Sequence, residues 1–371
     1  MGLTKLITND MWTKILIALG IIVGVLVLLF IALAWYLNPD AQRVLKFMKN
    51  NPDRSAFLLV ENDSIIARHE ADKAIPLAST VKIVVAVEYA EQAAAGLLNP
   101  DEPVALSALE TFYVPKTDGG AHEAWLETLG DKIQNDAVPL REVVRGMIRH
   151  SSNANTEWLM AKLGLDRINA RTDSLGLKQH TPIYYIVSAL FVGKEAFPDL
   201  KGKALTKAWK QMNMERYISH TEAIHEKLLA DPAYKTVLGD LNTGVQKAWT
   251  DKLPAASASD YVSIVQRMNR KSFPPAVQTL LDEVMETMME NSKNAAKFQH
   301  AGMKGGSTMS LLTRAMYATD KQGLAIEMTY FLHSLSALEM IRLQSSMSDF
   351  EQAVLTDAAF RAQMKEQLGI H

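Results

Sequence analysis

Ser79-Thr80-Val81-Lys82 places a hydroxyl and an amine three residues apart, the spacing at which two side chains share one face of a helix. The apolar run that follows (Ile83, Val84, Val85, Val87) predicts a buried helix with Ser79 at its N-terminus. Free N–H groups and the macrodipole favour developing negative charge there. A Lys82 amine depressed in pKa by burial or by a neighbouring cation can take the serine proton and make the hydroxyl a nucleophile. One such pair carries little weight in a chain of 371 residues. Its weight comes from two motifs downstream.

Ser151-Ser152-Asn153 lies between two predicted helices, at 140–148 and 154–163. From that connector Ser151 can pass a proton between Lys82 and a leaving group, and Asn153 can hold Lys82 and a substrate amide. The plain alternative is that Ser152 or Asn153 caps the helix beginning at Ala154. Lys304-Gly305-Gly306-Ser307 opens a group of strands, where paired glycines mark close approach by a ligand or another backbone. Lys304 then offers a fixed positive charge to an anionic group. The N–H of Ser307 joins that of Ser79 as the two donors of an oxyanion hole. The plain alternative is a turn with a surface lysine. Two look-alikes are set aside: Ser292-Lys293-Asn294, which leads into no apolar helix, and Lys116-Thr117-Asp118-Gly119, in an irregular loop ahead of Ser151.

The elements that must position these residues follow from periodicity. A helix is expected at 40–49 and a hairpin from 56–60 and 65–67 around Asn62-Asp63. The Ser79 helix ends near Gly96, and residues 104–137 read as irregular. A helix after Leu163 stops at Gly176. The stretch 191–249 is helical and polar, read as a solvated insertion. Helices at 261–268 and 277–288 precede strands at 300–303, 309–317 and 324–332, and one amphipathic helix covers 349–367. The N-terminal hairpin and C-terminal strands complete one sheet only if the chain ends meet. The expected class is therefore α+β: an antiparallel sheet flanked by helices, plus an all-helical part.

Composition excludes several functions. Lys and Arg total 39 against 41 Asp and Glu, a net charge of −2, without the basic excess of a nucleic-acid binder. There is no cysteine, and His220 and His225 lie five apart, so no disulfide and no metal site is expected, nor any cofactor. Residues 15–37 carry no charge and end in Trp35 and Tyr36, which predicts one N-terminal transmembrane helix after a short tail at 1–14. Ala32-Leu33-Ala34 resembles a cleavage site, but the apolar run before it exceeds a signal-peptide core, which favours an uncleaved anchor. Lys5 and Lys14 before the span and Arg43, Lys46, Lys49 and Arg54 after it leave the orientation open.

Together, Ser79-x-x-Lys82, Ser151-x-Asn153 and Lys304-Gly-Gly306 resemble the three-motif set of the serine β-lactamases and penicillin-binding proteins, in the right order. Their contexts match as well: a helix N-terminus, an inter-helix connector and an inner strand before a hairpin. The element order is similar to the class A β-lactamases over about 40–367, with 191–249 poorly matched. The resemblance implies a catalytic domain at 38–371 with Ser79 as acylated nucleophile, Lys82 as its base and Ser151 as proton relay. Asn153, Lys304, Gly306 and Ser307 would hold the substrate, a small molecule or a peptidoglycan-type peptide. It also implies an extracytoplasmic (periplasmic) domain on a cytoplasmic-membrane anchor.

Three departures qualify the resemblance. Ser152 stands for the usual aspartate of the second motif, and Gly305 for the usual threonine or serine of the third. The stretch 175–191, where class A enzymes carry the glutamate that positions the deacylating water, has no carboxylate, and Glu195 is the nearest. The sequence thus leaves three readings: a serine hydrolase or acyltransferase acting on a β-lactam or a D-amino-acid peptide or ester, a D,D-peptidase, and a non-catalytic scaffold that binds cell-wall fragments.

Overall fold

Strands from both ends of the chain close one antiparallel sheet. The computed structural model describes residues 9–239 and 241–369. The hairpin β1 (Ser55–Glu61) and β2 (Ser64–His69) turns through Asn62 and Asp63, both at positive φ. Two short pairs follow, β3 (Ile75–Pro76) with β6 (Ala255–Ala256) and β4 (Pro103–Ala105) with β5 (Ala137–Pro139). The C-terminal strands are β7 (Phe298–Thr308), β8 (Leu311–Asp320) and β9 (Ala325–His333). Sheet order is β2-β1-β9-β8-β7, with Leu58 opposite Thr329 joining the chain ends.

The third motif therefore sits on an edge strand, not the inner strand expected. Sheet order is set by long-range pairing that local sequence does not contain. The two edges are treated differently. The β2 edge is covered at Arg68, whose N–H donates to Gly369 O at 2.9 Å. On β7, residues 303–308 line a cleft.

Helices pack on both faces. The N-terminal ones are α1 (Asn9–Leu37), α2 (Ala41–Asn50), α3 (Lys82–Ala94), α4 (Leu106–Glu110), α5 (Ala121–Glu127), α6 (Leu140–Arg145), α7 (Asn153–Leu163) and α8 (Leu165–Ser174). Then come α9 (Val192–Ala196), α10 (Gly202–Gln211), α11 (Met214–Ala230), α12 (Thr243–Thr250), α13 (Ala258–Asn269), α14 (Pro275–Met285) and α15 (Ser292–Lys297). The last are α16 (Ala337–Thr356) and α17 (Ala358–Leu368). The single helix expected at 349–367 is two, because the Asp357 carboxylate accepts the N–H groups of Ala359 and Phe360 and starts a new helix. Residues 104–137, expected to be irregular, hold β4, α4, α5 and β5.

Three apolar cores result. One lies between the sheet and α3, α6, α7, α13 and α14. A second lies on the other sheet face under α2, α16 and α17. The third, around Phe191, Trp209, Tyr217 and Ile224, belongs to the inserted helices. That stretch is more than a solvated surface: Trp209 and Tyr217 are fully buried there.

In α1 the described apolar side chains between Trp12 and Phe30 stand 47% to 72% exposed. Among the described residues no helix is long and apolar enough to cross a membrane. The expectation of a span at 15–37 thus stays with the sequence. The end of α1 meets α16, where Ser345 Oγ donates to Leu37 O at 3.4 Å.

Candidate active site

Helix α3 is buried on every side from Lys82 to Ala90, so it runs through the domain interior and fixes its first residues rigidly. A single 3₁₀ turn, Ala78–Val81, leads into it and carries Ser79. Ala78 is held at φ +44°, a strained conformation that turns the chain sharply before the serine. The turn is locked to the sheet by Thr313 of β8. Its hydroxyl donates to Leu77 O at 2.8 Å, so the Thr80 hydroxyl donates to it at 2.7 Å. Gly306 is required opposite: a Cβ there would lie 2.6 Å from Ser79 N and 2.7 Å from Leu77 O.

Lys82 is the first residue of α3 and is fully buried. Its Nζ donates to Ser151 O at 2.6 Å and to Asn153 Oδ1 at 2.8 Å, and lies 3.2 Å from Ser151 Oγ. The backbone N–H of Lys82 donates to Ser79 O, but among the described residues no hydrogen bond joins the Lys82 amine to Ser79; the amine is engaged with the second motif instead. Ser151 ends a π-helical turn, Gly146–His150, at φ +72°. On its other side Lys304 Nζ donates to Ser151 Oγ at 3.0 Å and to Gly305 O at 3.0 Å. The structure thus brings Lys82, Ser151, Asn153 and Lys304 together in the cleft that Ser79, Gly306 and Ser307 also line.

Burial, then the Lys304 ammonium, push the Lys82 amine well below the ordinary lysine range, and Asp118 opposes them. Lys304, only 4% exposed, is pushed down to about 7 by burial and by the Arg314 guanidinium. Two ammonium groups converging on one hydroxyl disfavour each other, and valence shows how they share it. Ser151 O and Asn153 Oδ1 only accept, so they take two N–H groups of Lys82. A neutral amine keeps its lone pair for the Ser151 hydroxyl, whose oxygen accepts from Lys304. The arrangement suits a neutral base at Lys82, a cation at Lys304 and a hydroxyl between them that moves a proton.

The departures have structural reasons. Ser152 caps α7 by accepting from Asn155 N at 3.2 Å, as the plain reading expected. Its own hydrogen goes to Asn155 Oδ1 at 3.1 Å, since the Asn155 amide is oriented by Val143 O. Ser152 Oγ therefore accepts from the Nδ1–H of His122 at 2.9 Å. At Gly305, the position of a Cβ is filled by the Arg314 guanidinium, which is held by Glu351 at 2.6 Å. A threonine there would displace it.

Sequence reasoning missed two parts of the site. The look-alike Lys116-Thr117-Asp118-Gly119 lines the cleft, with Lys116 at φ +65°. Asp118 Oδ2 lies 3.5 Å from Asn153 N, one residue from Lys82, and Oδ1 accepts from Ala121 N at 3.2 Å. The only sequence signal was a turn-rich run before the second motif. The other part is the segment after Ile183. Buried Glu157 of α7 accepts from Val187 N at 2.5 Å and Ser188 N at 3.2 Å, and also from the Ser188 hydroxyl. It faces His225 Nδ1 of α11 at 3.2 Å. This grip holds Ile186 and Leu190 in the cleft wall. Among the described residues no cluster of side chains could hold a metal ion.

The fold is that of the class A β-lactamases. It matches a class A β-lactamase from Bacteroides cellulosilyticus at 14% identity over 86% of this chain and 99% of that one, with a TM-score of 0.52. A β-lactamase from Sphaerobacter thermophilus matches at 17% identity over 84% and 96%, also at 0.52. One from Chitinophaga pinensis matches at 11% over 84% and 99%, at 0.51. The model of the β-lactamase enzyme family matches residues 39–233, and the chain belongs to that family. No curated protein sequence matches it.

Proposed function

We propose that the chain is a serine hydrolase or acyltransferase that forms an acyl-enzyme on Ser79 with a β-lactam or a D-amino-acid peptide or ester. The observation that carries this reading is the convergence of two buried lysines on Ser151 within the cleft of Ser79. Lys82 accepts the Ser79 proton as Oγ attacks the carbonyl carbon. The oxyanion forms between the N–H groups of Ser79 and Ser307. Ser151 then hands a proton to the leaving atom, with Lys304 holding an anionic group of the substrate. The cleft favours anions: Lys116 and Lys304 line it against Asp118, while Arg149 is paired with Glu290 and Arg314 with Glu351.

Deacylation is the slow half. In the wall held by Glu157, the residues that meet the cleft are Ile186 and Leu190, and neither can activate water. This favours a D,D-peptidase or acyl-transferring role over fast β-lactam turnover. An intact set of Ser79, Lys82, Ser151, Asn153 and Lys304 disfavours a non-catalytic scaffold, which has no physical need for two buried lysines. Replacing Ser79 with alanine is expected to abolish β-lactam binding and D-alanine release from stem peptides while the protein stays folded. Surviving activity would sink the reading.

The anchor and its side belong to the same proposal. The 23 uncharged residues from Ile15 to Leu37 are long enough to hold the protein in the cytoplasmic membrane, with the catalytic domain outside, where cell-wall substrates lie. Protease added to spheroplasts is expected to remove the domain; protection would place it inside.

A further inference from the structure

Helix α16 leaves an apolar pair open on its outer side. Leu338 stands 51% exposed and Ile341 53% exposed, three residues apart and so on one face. Among the described residues outside α1, every other exposed large apolar side chain stands alone along the chain. Such single side chains are ordinary on a protein surface, and a pair on one helix turn is less so. The pair sits on a rigid platform. Ser336 caps α16 by accepting from Glu339 N at 3.3 Å, and Arg54 pairs with Glu339 at 2.7 Å.

The same face meets the end of the span expected at 15–37. Ser345 lies four residues beyond Ile341, so Leu338, Ile341 and Ser345 run along one side of α16, and Ser345 Oγ donates to Leu37 O at 3.4 Å. The junction is short. Only Asn38, Pro39 and Asp40 separate α1 from α2, a reach of no more than roughly 14 Å at full stretch. It is also pinned to α16. Asp40 caps α2 by accepting from Gln42 N at 2.9 Å, its own N–H donates to Ser346 Oγ at 3.2 Å, and Arg43 Nη1 donates to that oxygen at 3.0 Å. A domain joined this tightly to a span cannot swing far from the bilayer, and the Ser345 side of α16 lies where the span leaves the hydrocarbon. Two half-exposed side chains hold a free protein on lipid only weakly. A tethered one needs less, because the anchor makes the contact intramolecular, at an effective concentration on the order of millimolar.

We propose that the Leu338–Ile341 face of α16 docks into the bilayer interface beside the span, as the apolar face of an amphipathic helix does. This rests on the anchor reading given above. The occupant is lipid because the pair continues, across the contact of Ser345 with Leu37, the exposed apolar surface of α1. The docking has a consequence for the site. Gln344 and Ser348 flank Ser345 and line the cleft, within one helical turn of the anchor contact. The docked face therefore fixes one rim of the cleft at the membrane surface.

The chain has no cysteine, so a single introduced thiol reports one site. Leu338→Cys, Ile341→Cys and Gln344→Cys are each made in the full chain. Leu97→Cys is the reference: it is 61% exposed, just beyond α3, which packs on the opposite sheet face from α16. Each is labelled with a nitrobenzoxadiazole dye and placed in phosphatidylcholine–phosphatidylglycerol nanodiscs with and without spin-labelled lipid. An interfacial helix sits roughly 5–10 Å into the headgroup–acyl boundary, so emission at 338 and 341 is expected to fall about twofold or more with spin-labelled lipid, and at 97 hardly at all. The label at 344, on the cleft rim, is expected to be quenched too, and adding Leu338→Gln with Ile341→Gln should remove at least about half of that quenching. In chain retained on the discs, quenching at 338 and 341 no greater than at 97, or a signal at 344 unmoved by the double substitution, overturns this inference and leaves the anchor standing. A full chain that does not stay with the discs overturns the anchor reading and this inference with it.

Discussion

The lysine side of the cleft and the wall segment at 186–190 are built on opposite principles. On the first, buried polar groups pair closely: Lys82 and Lys304 are almost without solvent contact, and each meets several acceptors. On the second, the polar grip faces away from the substrate. Glu157 spends its oxygens on Val187, Ser188 and His225, and the chain presents Ile186 and Leu190 to the cleft. Forming an acyl-enzyme requires a base, a relay and an oxyanion site, and the residues we propose for them all lie on or beside the first side. Releasing it to water requires a group that orients water, and the residues that the Glu157-held segment brings to the cleft, Ile186 and Leu190, carry no such group. On the proposed reaction, the difference is expected to make the second half-reaction the slow one.

The largest effect is expected on the lysine side. Lys82→Ala should lower the rate of Ser79 acylation about 10³-fold, since a positioned base contributes roughly 10²–10⁴. Stopped-flow acylation by a chromogenic β-lactam checks this, and a loss below about tenfold would assign the base elsewhere. The Glu157-held segment should respond in the opposite half-reaction. Ile186→Glu places a carboxylate in the wall and is expected to shorten the life of the acyl-enzyme by about tenfold or more while leaving its formation less changed. Faster acylation with unchanged release would mean that the wall does not face the ester.

A third prediction concerns stability. Lys304 has a folded pKa of about 7 against an ordinary 10.5, so between those values the unfolded chain binds more protons. Stability should therefore rise from about pH 7 toward pH 9, with the full penalty present below 7. Lys304→Met should flatten that rise and stabilise the protein by at least about 1 kcal/mol at pH 7 while weakening anionic substrates, as read by urea denaturation. The smallest effect is at Asp118, which holds the Lys82 pKa up. Asp118→Asn should move the acid limb of the acylation profile to lower pH by under about one unit. A shift to higher pH would contradict the placement.

What was legible in the sequence was what is local. Ser79 and Lys82 lie within one turn, Ser151 and Asn153 within one connector, and Lys304 to Ser307 on one strand. The hairpin at Asn62-Asp63 needed no more than its turn residues. The closure of the sheet followed from the order of elements. What was not legible depends on chain crossing distant chain. That β7 is an edge strand comes from pairing between β8 and β9 and between β9 and β1. Asp118 looked like part of a loop without a role because the contact that places it, to Asn153, spans 35 residues. Leu241 and Trp249 sit in a polar helical run, and nothing in its pattern tells that two of its apolar residues face a cleft built by others. Gly305 read as a weakened motif, whereas Arg314 from the neighbouring strand fills its space.

The claim that acylation is complete and release is hindered can be tested in one time course. The full chain is mixed with a penicillin, and intact mass and peptide maps are followed from seconds to hours beside Ser79→Ala. The account predicts one adduct, on the peptide holding Ser79, formed quickly, persisting for many turnovers' worth of time, and absent from the variant. An adduct that decays as fast as it forms while penicillin is consumed, or one that also appears on Ser79→Ala, would contradict it.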